Sequence, residues 1–584
     1  MTEFIYPNSG QGQGRFNPDG SPRPGYLAKM YWAVIGAFLG TALLLRICDF
    51  VLGMQRIRSS NARPKSVLAR IYATFTSIGR VLTYPTPPYL QRYSGLVHFP
   101  SFGRTLLVIF YWCLLIGFFF YRNTIKTSSD WLNVGYRAAW LSIAQLPLIV
   151  LLSVKRLSII SVITGSSSSV TLNFFHRWIA RALLLTTTLH MFYMMRYFAS
   201  FNYLVMRLHT DIFMRRGIGT WCVLAWIVVV TTISPIRHYA FELFFANHVI
   251  SIIVFFIALM MHTPTYAHVY IWIAIGIYIA DVALRWSLIL LNNVSTSGFN
   301  YRASVSVVHD ANTLKIEIPL TSLRFLKWKP GQFVRLSFPT VAPFMAHPFT
   351  IASLPEDSKM LFVIRAKAGF TRRILKKTLL IGRDIEKQSD HMVASATYPV
   401  VIDGPYGGPS RPWQQFDTVL IVVCGTGATY GFAVLRDVLR DNGAVRTLRL
   451  VWIVRHYSDI ITFREQLEQI LKSCGTDASD FSILIQIFVS DQSTIPIPSQ
   501  GQSDFDLFLA HLKDVVEVIP GKPGIRSIVR GVLERAGGET GIAVCGSVKL
   551  TTEIKNDVVL LDAVANRPGS DTQKCWVHSE QFDA

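Results

Sequence analysis

Phe174–Tyr197 reads FFHRWIARALLLTTTLHMFYMMRY, and Phe244–His262 reads FFANHVISIIVFFIALMMH. Both suit a membrane crossing, which takes roughly 20 mostly apolar residues. Each carries two histidines with thirteen residues between them: His176 and His190 in the first, His248 and His262 in the second. Fourteen steps of about 100° come close to four turns, so both members of a pair share nearly one helix face, about 21 Å apart along the axis. Ionisable residues inside a membrane are costly and point to function. Two such helices side by side present two opposed His–His pairs, one near each membrane surface. Imidazole on both sides of an iron is a haem ligation, and two stacked bis-histidine haems form an electron path across the bilayer. For one lone histidine the plain alternative is a core residue bonded to a neighbouring helix, but the repeated spacing in two even-numbered spans argues against it. A zinc site needs ligands that converge on one point, which the separation within each pair forbids.

The composition around these helices fits a membrane protein. Of 584 residues, 51% are hydrophobic and 16% charged, against about 25% charged in soluble chains. Such a chain is too apolar to be disordered, and seven Cys are too sparse for a disulfide scaffold. The length predicts at least two domains. Five more stretches reach span length: Ala28–Leu52, Thr105–Tyr121, Arg137–Val154, Thr220–Ile236 and His268–Leu291. That makes seven spans, of which the third, with Pro147 and polar residues, is the least apolar. Residues 1–27 are polar and rich in Gly and Pro, and read as a disordered extracytosolic tail without a cleavable signal.

Lys and Arg number 57 against 36 Asp and Glu, a net charge of +21. Arg56, Arg58, Arg63, Lys65, Arg70, Arg80, Arg92 and Arg104 lie between the first two spans, with no acid after Asp49. Lys155, Arg156 and Arg177 lie between the third and fourth, and Arg237 between the fifth and sixth. The positive-inside bias makes these loops cytoplasmic, with the N-terminus outside and the long C-terminal part inside. A basic excess that hugs the membrane, rather than one face of a soluble domain, argues against nucleic acid as a partner. One stretch departs from the bias. Tyr197–Gly219, read as an external loop, carries Arg207, Arg215 and Arg216 against Asp211.

From Ser295 the pattern changes. Ala303–Val308, Thr313–Ile318 and Phe333–Phe338 alternate as short strands between Pro and Gly turns. From Phe416 onward, strands (Thr418–Val423, Leu448–Val454) alternate with helices (Tyr430–Asp441, Phe463–Lys472), which predicts a mostly parallel α/β sheet. The Ser490–Asp504 tract reads as a surface loop. The sequon Asn293-Val294-Ser295 falls on the cytoplasmic side and is expected to be unused. The expected organisation is a tail (1–27), an extra span with a basic cytoplasmic loop (28–104), a six-helix membrane domain (105–294) and two cytoplasmic domains (295–412 and 413–584).

The cytoplasmic half carries motifs in a fixed order. His347-Pro348-Phe349-Thr350 follows the strand around Phe333. Gly369-Phe370-Thr371 opens a helix, whose free N–H groups suit a pyrophosphate. Gly404-Pro405-Tyr406-Gly407 precedes the strand Thr418–Val423, which runs into Gly425-Thr426-Gly427-Ala428-Thr429-Tyr430-Gly431. A Gly-rich strand–helix turn lets a dinucleotide phosphate approach the backbone, though this spacing is not GxGxxG and an ordinary tight turn reads the same way. Cys545-Gly546 ends a late strand, and the chain closes around Phe582.

Taken together, from about Arg104 to the C-terminus, the two H-x13-H helices followed by HPFT, GFT, GPYG, the Gly-rich turn and a late Cys-Gly resemble the ferric reductase transmembrane family. The likeness is strongest to the fungal ferric/cupric metalloreductases and more distant to the NADPH oxidases. The resemblance implies a membrane helix bundle followed by a ferredoxin-reductase-like module, with an FAD-binding antiparallel β-barrel and an NADPH-binding parallel α/β domain. It implies that His347, Pro348, Phe349 and Thr350 bind the flavin, with Thr350 near its reactive ring edge. Gly369, Phe370 and Thr371 would hold the FAD pyrophosphate. Gly404 to Gly407, and Gly425, Thr426 and Gly427 with the rest of their turn, would hold the nicotinamide dinucleotide. Cys545 and Gly546 would sit near the nicotinamide. Phe582 would correspond to the aromatic that covers the flavin, although Asp583 and Ala584 follow it; packing of the last strand is the alternative.

The implied path runs from NADPH through FAD and two b-type haems to extracytosolic ferric or cupric chelates, in a multi-pass protein of the plasma membrane. His176 and His248 would ligate the inner haem, His190 and His262 the outer, and no side-chain acid, base or nucleophile is required. Within the resemblance, dioxygen is the rival acceptor, but NADPH oxidases usually shorten the second His pair to twelve intervening residues. A nucleotide-regulated transporter is a third reading, disfavoured because the spans offer few ionisable residues besides the histidines. Arg455, just after the strand Leu448–Val454, is the candidate reader of the NADPH 2′-phosphate, with no acid immediately at that strand end. The extra first span is a departure from the six-span unit, with no chemistry assigned to it.

Overall fold

The computed structural model describes residues 15–16, 22–62, 66–86, 100–123, 125–126, 130–156, 158–164, 169–233, 240–293, 301–308, 312–319, 327–343, 345–367, 369–386, 394–473, 481–495, 515–565 and 575–581. The chain divides into two compact units, Met1–Arg46 with Thr105–Arg285, and Ile47–Arg104 with Trp286–Ala584. The described helices of the N-terminal half are α1 (Pro24–Ser59), α2 (Val67–Thr83), α3 (Phe102–Phe120), α4 (Asp130–Ser153), α5 (Ile159–Thr164), α6 (Ser169–Ser200), α7 (Leu204–Thr210), α8 (Ile212–Thr232), α9 (Phe241–His262) and α10 (His268–Asn293).

Among the described residues, six helices are long and apolar enough to cross a membrane: α1, α3, α4, α8, α9 and the stretch 265–293. The interrupted third stretch is among them, because Pro147 sits inside an otherwise continuous α4. The helix outside this group is α6. It is 32 residues long, but Arg177, Arg181, Arg196 and the run Thr186–Thr188 lower its hydropathy. It packs against α4. A buried polar chain joins the two helices. Ser142 and Thr186 share a hydroxyl bond of 2.7 Å, and the Gln145 amide donates to Thr186 at 3.1 Å. Tyr111 donates to Gln145 at 2.9 Å and shares a 3.1 Å bond with Tyr31 of α1. Polar groups in lipid must be satisfied within the protein, and this chain does so. It also gives the first span a place: Leu27, Ala28 and Tyr31 are fully buried in a core with Tyr111, Leu115 and Leu141.

The stretch 197–219, read above as an external loop, is mostly helical. Asp211 separates α7 from α8, and its carboxylate caps α8 by accepting from the Phe213 N–H at 2.9 Å. An N-cap acid of this kind satisfies one of the free donors that open a helix.

The second unit contains two six-stranded sheets. β1 (Tyr301–Val307), β2 (Thr313–Pro319), β3 (Gln332–Ser337), β4 (His347–Thr350), β5 (Lys359–Arg365) and β6 (Ser395–Gly407) pair antiparallel in the order β4-β3-β6-β1-β2-β5. The inward residues of β1, Tyr301, Ala303, Val305 and Val307, alternate with exposed or half-buried ones, as one-sided burial of an antiparallel strand requires. Helix α11 (Phe370–Glu386) closes this barrel-like sheet, burying Phe370 and Ile374 in its core. The buried Asn293 side chain completes the pairing at β6, donating to Ile402 O at 2.7 Å and accepting from Ile402 N at 2.8 Å. Both ends of the Asn293 amide are therefore engaged inside the protein.

The last sheet is β10 (Val516–Pro520), β9 (Ser482–Val489), β8 (Thr447–Val454), β7 (Thr418–Cys424), β11 (Thr540–Gly546) and β12 (Cys575–Gln581) in that order, all pairs parallel. Its crossovers include α12 (Ala428–Arg440), α13 (Ser458–Thr462), α14 (Arg464–Ser473), α15 (Ile525–Arg535) and α16 (Val548–Ala565). The central strands read as continuous apolar runs, buried on both faces, as covered parallel sheets do. The strand order reverses between β7 and β11, which makes a crevice at their carboxyl ends, the usual ligand position in such sheets.

Candidate functional site

The four membrane histidines meet as two facing pairs. The ring centroids of His176 and His248 are 6.5 Å apart, and those of His190 and His262 are 6.3 Å apart. Helix α6 packs mainly on α4, and α9 on α8, so each histidine helix leans on a different neighbour. Three of the rings are oriented by backbone carbonyls at Nδ1: His176 by Ile149 at 3.0 Å, His190 by Gly135 at 3.0 Å, and His262 by Phe213 at 2.9 Å. A carbonyl only accepts, so Nδ1 carries the proton and Nε2 keeps its lone pair, which is how metal-ligating imidazoles are held. His248 is placed differently, stacked on Phe244 with centroids 6.0 Å apart and its Nδ1 buried. Two imidazole–metal bonds of about 2.0–2.1 Å fit within either centroid separation. Among the described residues, no three His, Cys, Asp or Glu side chains converge on a metal position. A ligand that brings its own equatorial donors, as haem does, fits these two-histidine sites.

Two glycines that the sequence reading passed over shape these pairs. A Cβ on Gly217 would lie 2.6 Å from Cε1 of His262, so the ring rests directly on the α8 backbone. Gly135 supplies the carbonyl for His190, and a Cβ there would lie 3.1 Å from Cβ of Tyr193.

In the antiparallel sheet, HPFT and GFT come together. β4 is the HPFT segment itself, paired with β3. His347 stacks on Phe370 at 4.6 Å, and Phe349 lies 6.2 Å from the same ring. Gly369, with φ +60°, turns the chain into α11, a conformation that suits glycine. The Thr371 hydroxyl accepts from the Lys367 N–H at 3.1 Å, tightening the loop before the helix. Gly404-Pro405-Tyr406-Gly407 ends β6 within this same sheet. There Tyr406 packs on Phe333 and donates to Asp403 at 2.5 Å.

The Gly-rich turn sits at the reversal of strand order. Gly425, with φ +51°, leaves β7, and its carbonyl accepts from the Trp452 indole at 3.0 Å. A Cβ on Gly427 would lie 2.9 Å from Cys545 O, and one on Gly431 2.9 Å from Val423 Cγ1. The turn is therefore pressed against the ends of β7 and β11, which brings Cys545 and Gly546 beside it. Burial pushes the Cys424 thiol up to about 11 and the Cys545 thiol well above its ordinary range. Both stay protonated near neutrality, so neither is an activated nucleophile.

Arg455 follows β8 and is exposed. The Asp459 carboxylate accepts the His456 N–H at 3.2 Å. Another acid near Arg455 is Asp491, whose carboxyl is held below its ordinary range by the Ser493 hydroxyl and by the charges of His456 and Arg455. Asp491 lies two residues past β9, and sequence distance from Arg455 concealed it. Phe582 lies outside the described residues.

The arrangement is that of long apolar helices joined in one chain to an antiparallel barrel-like sheet and a parallel α/β sheet. Three segments match family models: residues 138–259 match the ferric reductase like transmembrane component, 299–410 an FAD-binding domain, and 416–559 the ferric reductase NAD binding domain. The chain is 28% identical to a probable cell surface ferric reductase of Aspergillus oryzae, over 66% of this chain and 52% of that protein. It is 24% identical to ferric reductase transmembrane component 1 of Schizosaccharomyces pombe, over 57% and 61%. It is also 24% identical to ferric/cupric reductase transmembrane component 7 of Saccharomyces cerevisiae, over 90% of this chain and 87% of that one. The chain thus spans between about half and nearly nine-tenths of these relatives. Among solved structures, a ferredoxin NADP+ reductase from Neisseria gonorrhoeae aligns with 48% of this chain and 97% of its own, at 14% identity and a TM-score of 0.31. A flavohemoglobin from Malassezia yamatoensis aligns with 75% and 96%, at 11% identity and a TM-score of 0.35.

Proposed function

We propose that this chain is a transmembrane metalloreductase, which passes electrons from cytosolic NADPH by way of FAD and two b-type haems to ferric or cupric chelates outside. The observation that carries the proposal is the pair of facing histidine couples, three of whose four rings have Nδ1 tied to a carbonyl. The bound flavin supplies the exchange between hydride and single electrons, and haem iron supplies one-electron carriage through the bilayer.

The residues of the chain bind and orient. His176 with His248 would hold the inner haem, and His190 with His262 the outer. His347, Pro348, Phe349 and Thr350 form the flavin edge, backed by the Phe370 ring. Gly369, Phe370 and Thr371 open α11 toward the FAD pyrophosphate. Gly404 to Gly407 and the turn Gly425 to Gly431 border the nicotinamide dinucleotide, with Cys545 and Gly546 alongside. Arg455 reads the 2′-phosphate. Cells carrying the protein at the plasma membrane would reduce chelates on the face opposite the nucleotide domain. Dioxygen as acceptor is the second reading, and the thirteen-residue spacing of the second histidine pair favours metal.

The test is haem stoichiometry with turnover. The purified chain should bind about two haems, and His190→Ala about one. That variant should lose ferric chelate reduction while NADPH still reduces its flavin. Unchanged haem content and unchanged metal reduction would remove the assignment.

A further inference from the structure

Helix α2 has two unlike faces. Val67, Ile71, Phe75, Ile78 and Leu82 are 73%, 60%, 61%, 53% and 52% exposed. At about 100° and 1.5 Å per residue they fall within an arc of about 80° and run for about 22 Å. Nearly opposite them lie Ala73, Ser77 and Arg80, all buried. That buried side is fastened to the nucleotide domain. α2 packs on α16, and Tyr84, just beyond it, packs against a core that includes Leu420, Ile542 and Val577. The Thr86 backbone exchanges two hydrogen bonds with the Asn556 side chain, at 3.0 and 3.2 Å. Tyr72 donates to Asp49 at 2.7 Å, and Asp49 also pairs with Arg411.

An exposed apolar stripe of this length marks an interaction surface, and three observations say what covers it. The first is continuity with a span. α1 has 36 residues, about 54 Å of helix against a hydrocarbon core of about 30 Å, so part of it must emerge from the bilayer. Only residues 60–66 separate its end from α2. The second is that the apolar surface continues onto that end of α1, where Phe50 and Val51 are exposed and join Met54, Gln55, Arg58 and Ser59 in an open hollow. The third is charge. No acid occurs between Asp49 and Asp130, while Arg58, Arg63, Lys65 and Arg70 lie around the stripe in sequence.

We propose that α2 is an interfacial helix. Its stripe of Val67, Ile71, Phe75, Ile78 and Leu82 sits among the acyl chains of the leaflet facing the reductase domains, the cations that precede and open it in sequence meet anionic headgroups, and its other face carries the nucleotide-binding domain. An apolar stripe flanked by Lys and Arg is the form that surface-lying helices take.

The test places the photoreactive residue p-benzoylphenylalanine at position 75 of the full chain, reconstituted in nanodiscs of phosphatidylcholine and phosphatidylserine. Ile461 of α13, which is 46% exposed, is the control position. Phospholipid adducts at position 75 should exceed those at 461 by at least about 10-fold. A second variant carries the label at Leu82 together with Ile71→Glu and Ile78→Glu, and its lipid adducts should fall by at least about 5-fold relative to the same label without the glutamates. Cross-linking of position 75 to a second copy of the chain, equal lipid labelling at 75 and 461, or labelling at 82 that ignores the glutamates would overturn the proposal. The readout is adduct mass, so it stands apart from whether the chain reduces metals.

Discussion

His262 lies directly on Gly217: a Cβ built on that glycine falls 2.6 Å from Cε1 of the imidazole and 3.0 Å from both ring nitrogens. The same ring donates Nδ1–H to Phe213 O, one turn earlier on α8, so one short piece of helix sets both the height and the tilt of the ligand. Gly217→Ala is expected to push the ring off its carbonyl. Loss of an orienting contact of this kind typically weakens metal binding by about 10–100-fold, so the outer haem should be lost or become labile while the inner one stays. Pyridine haemochrome titration of the purified variant checks this. Two tightly held haems with an unshifted spectrum would mean that Gly217 is only a packing residue.

Arg455→Ala is expected to raise KM for NADPH at least about 10-fold with little change for NADH, as loss of a charge-assisted phosphate contact should. The position of Asp491 adds a second arm. Its carboxylate sits close enough to Arg455 and His456 for their charges to hold its carboxyl below the ordinary range, so it would compete with a phosphate bound by Arg455. Asp491→Asn should lower KM for NADPH and leave NADH alone. Steady-state kinetics with both cofactors decide the matter, and equal effects on the two would remove Arg455 from phosphate recognition.

Much of this architecture is legible in the sequence, and the reasons are physical. The histidine pairs announce themselves because an α-helix converts a fourteen-residue step into a shared face. Strands such as Thr313–Pro319 and Thr418–Cys424 fall within a residue of their expected bounds, because burial on one or both faces writes itself as alternation or as an apolar run. What stays hidden has no side-chain signature. Ile149, Gly135 and Phe213 orient the histidine rings through backbone carbonyls, which any residue possesses. Helix α2 escapes a search for spans because its 17 residues are short of a crossing and are interrupted by Arg70, Arg80 and hydroxyls. Asn293 reads as a glycosylation site and proves to be a buried clamp on Ile402, since a sequon does not reveal which face of the fold its amide meets.

Lys555 of α16 makes a prediction about pH. Its amine bonds only weakly, to Ser579 Oγ at 3.2 Å, and lies 5.9 Å from the Tyr84 ring. Burial first, and then the Arg104 charge, bring it down to about 8. The folded state therefore gives up this proton more readily than the unfolded chain, whose lysines titrate near 10.4. Where the unfolded state holds more protons, stability rises with pH. The penalty is fully present below about pH 8 and is relieved as pH climbs toward about 10.4. Lys555→Met should stabilise the protein at pH 7 by about 1–3 kcal/mol after allowance for solvent screening, with the gain shrinking as pH passes 9. Paired thermal melts of the two proteins at pH 7 and pH 9.5 test this; a gain that does not depend on pH would point to packing instead.

The arginines of α7 and the first turns of α8 lead to the last prediction. Of these three, Arg207 is paired with Asp211 at 3.4 Å and lies over the Phe198 ring at 5.2 Å. Arg216 donates to Met261 O at 3.2 Å, next to His262. Arg215 is exposed. Three roles are open to these cations. Pairing with the propionates of an outer haem would use charge-assisted bonds. Steering of anionic metal chelates would use their long-range field. Pairing with lipid headgroups would serve neither. Arg216 contacts the carbonyl of Met261, the residue before His262, so Arg216→Gln should shift the outer-haem potential and affect all acceptors alike. Arg215→Gln should instead slow only anionic chelates, by about 2–5-fold at low salt. That loss should fade as ionic strength rises, because exposed charges are screened over about 8 Å at physiological salt. Reduction rates for a citrate complex and a cationic acceptor, each measured at low and high salt, separate the two roles. Wild-type rates for both acceptors in both variants, with an unshifted haem potential, would leave headgroup pairing as their only role.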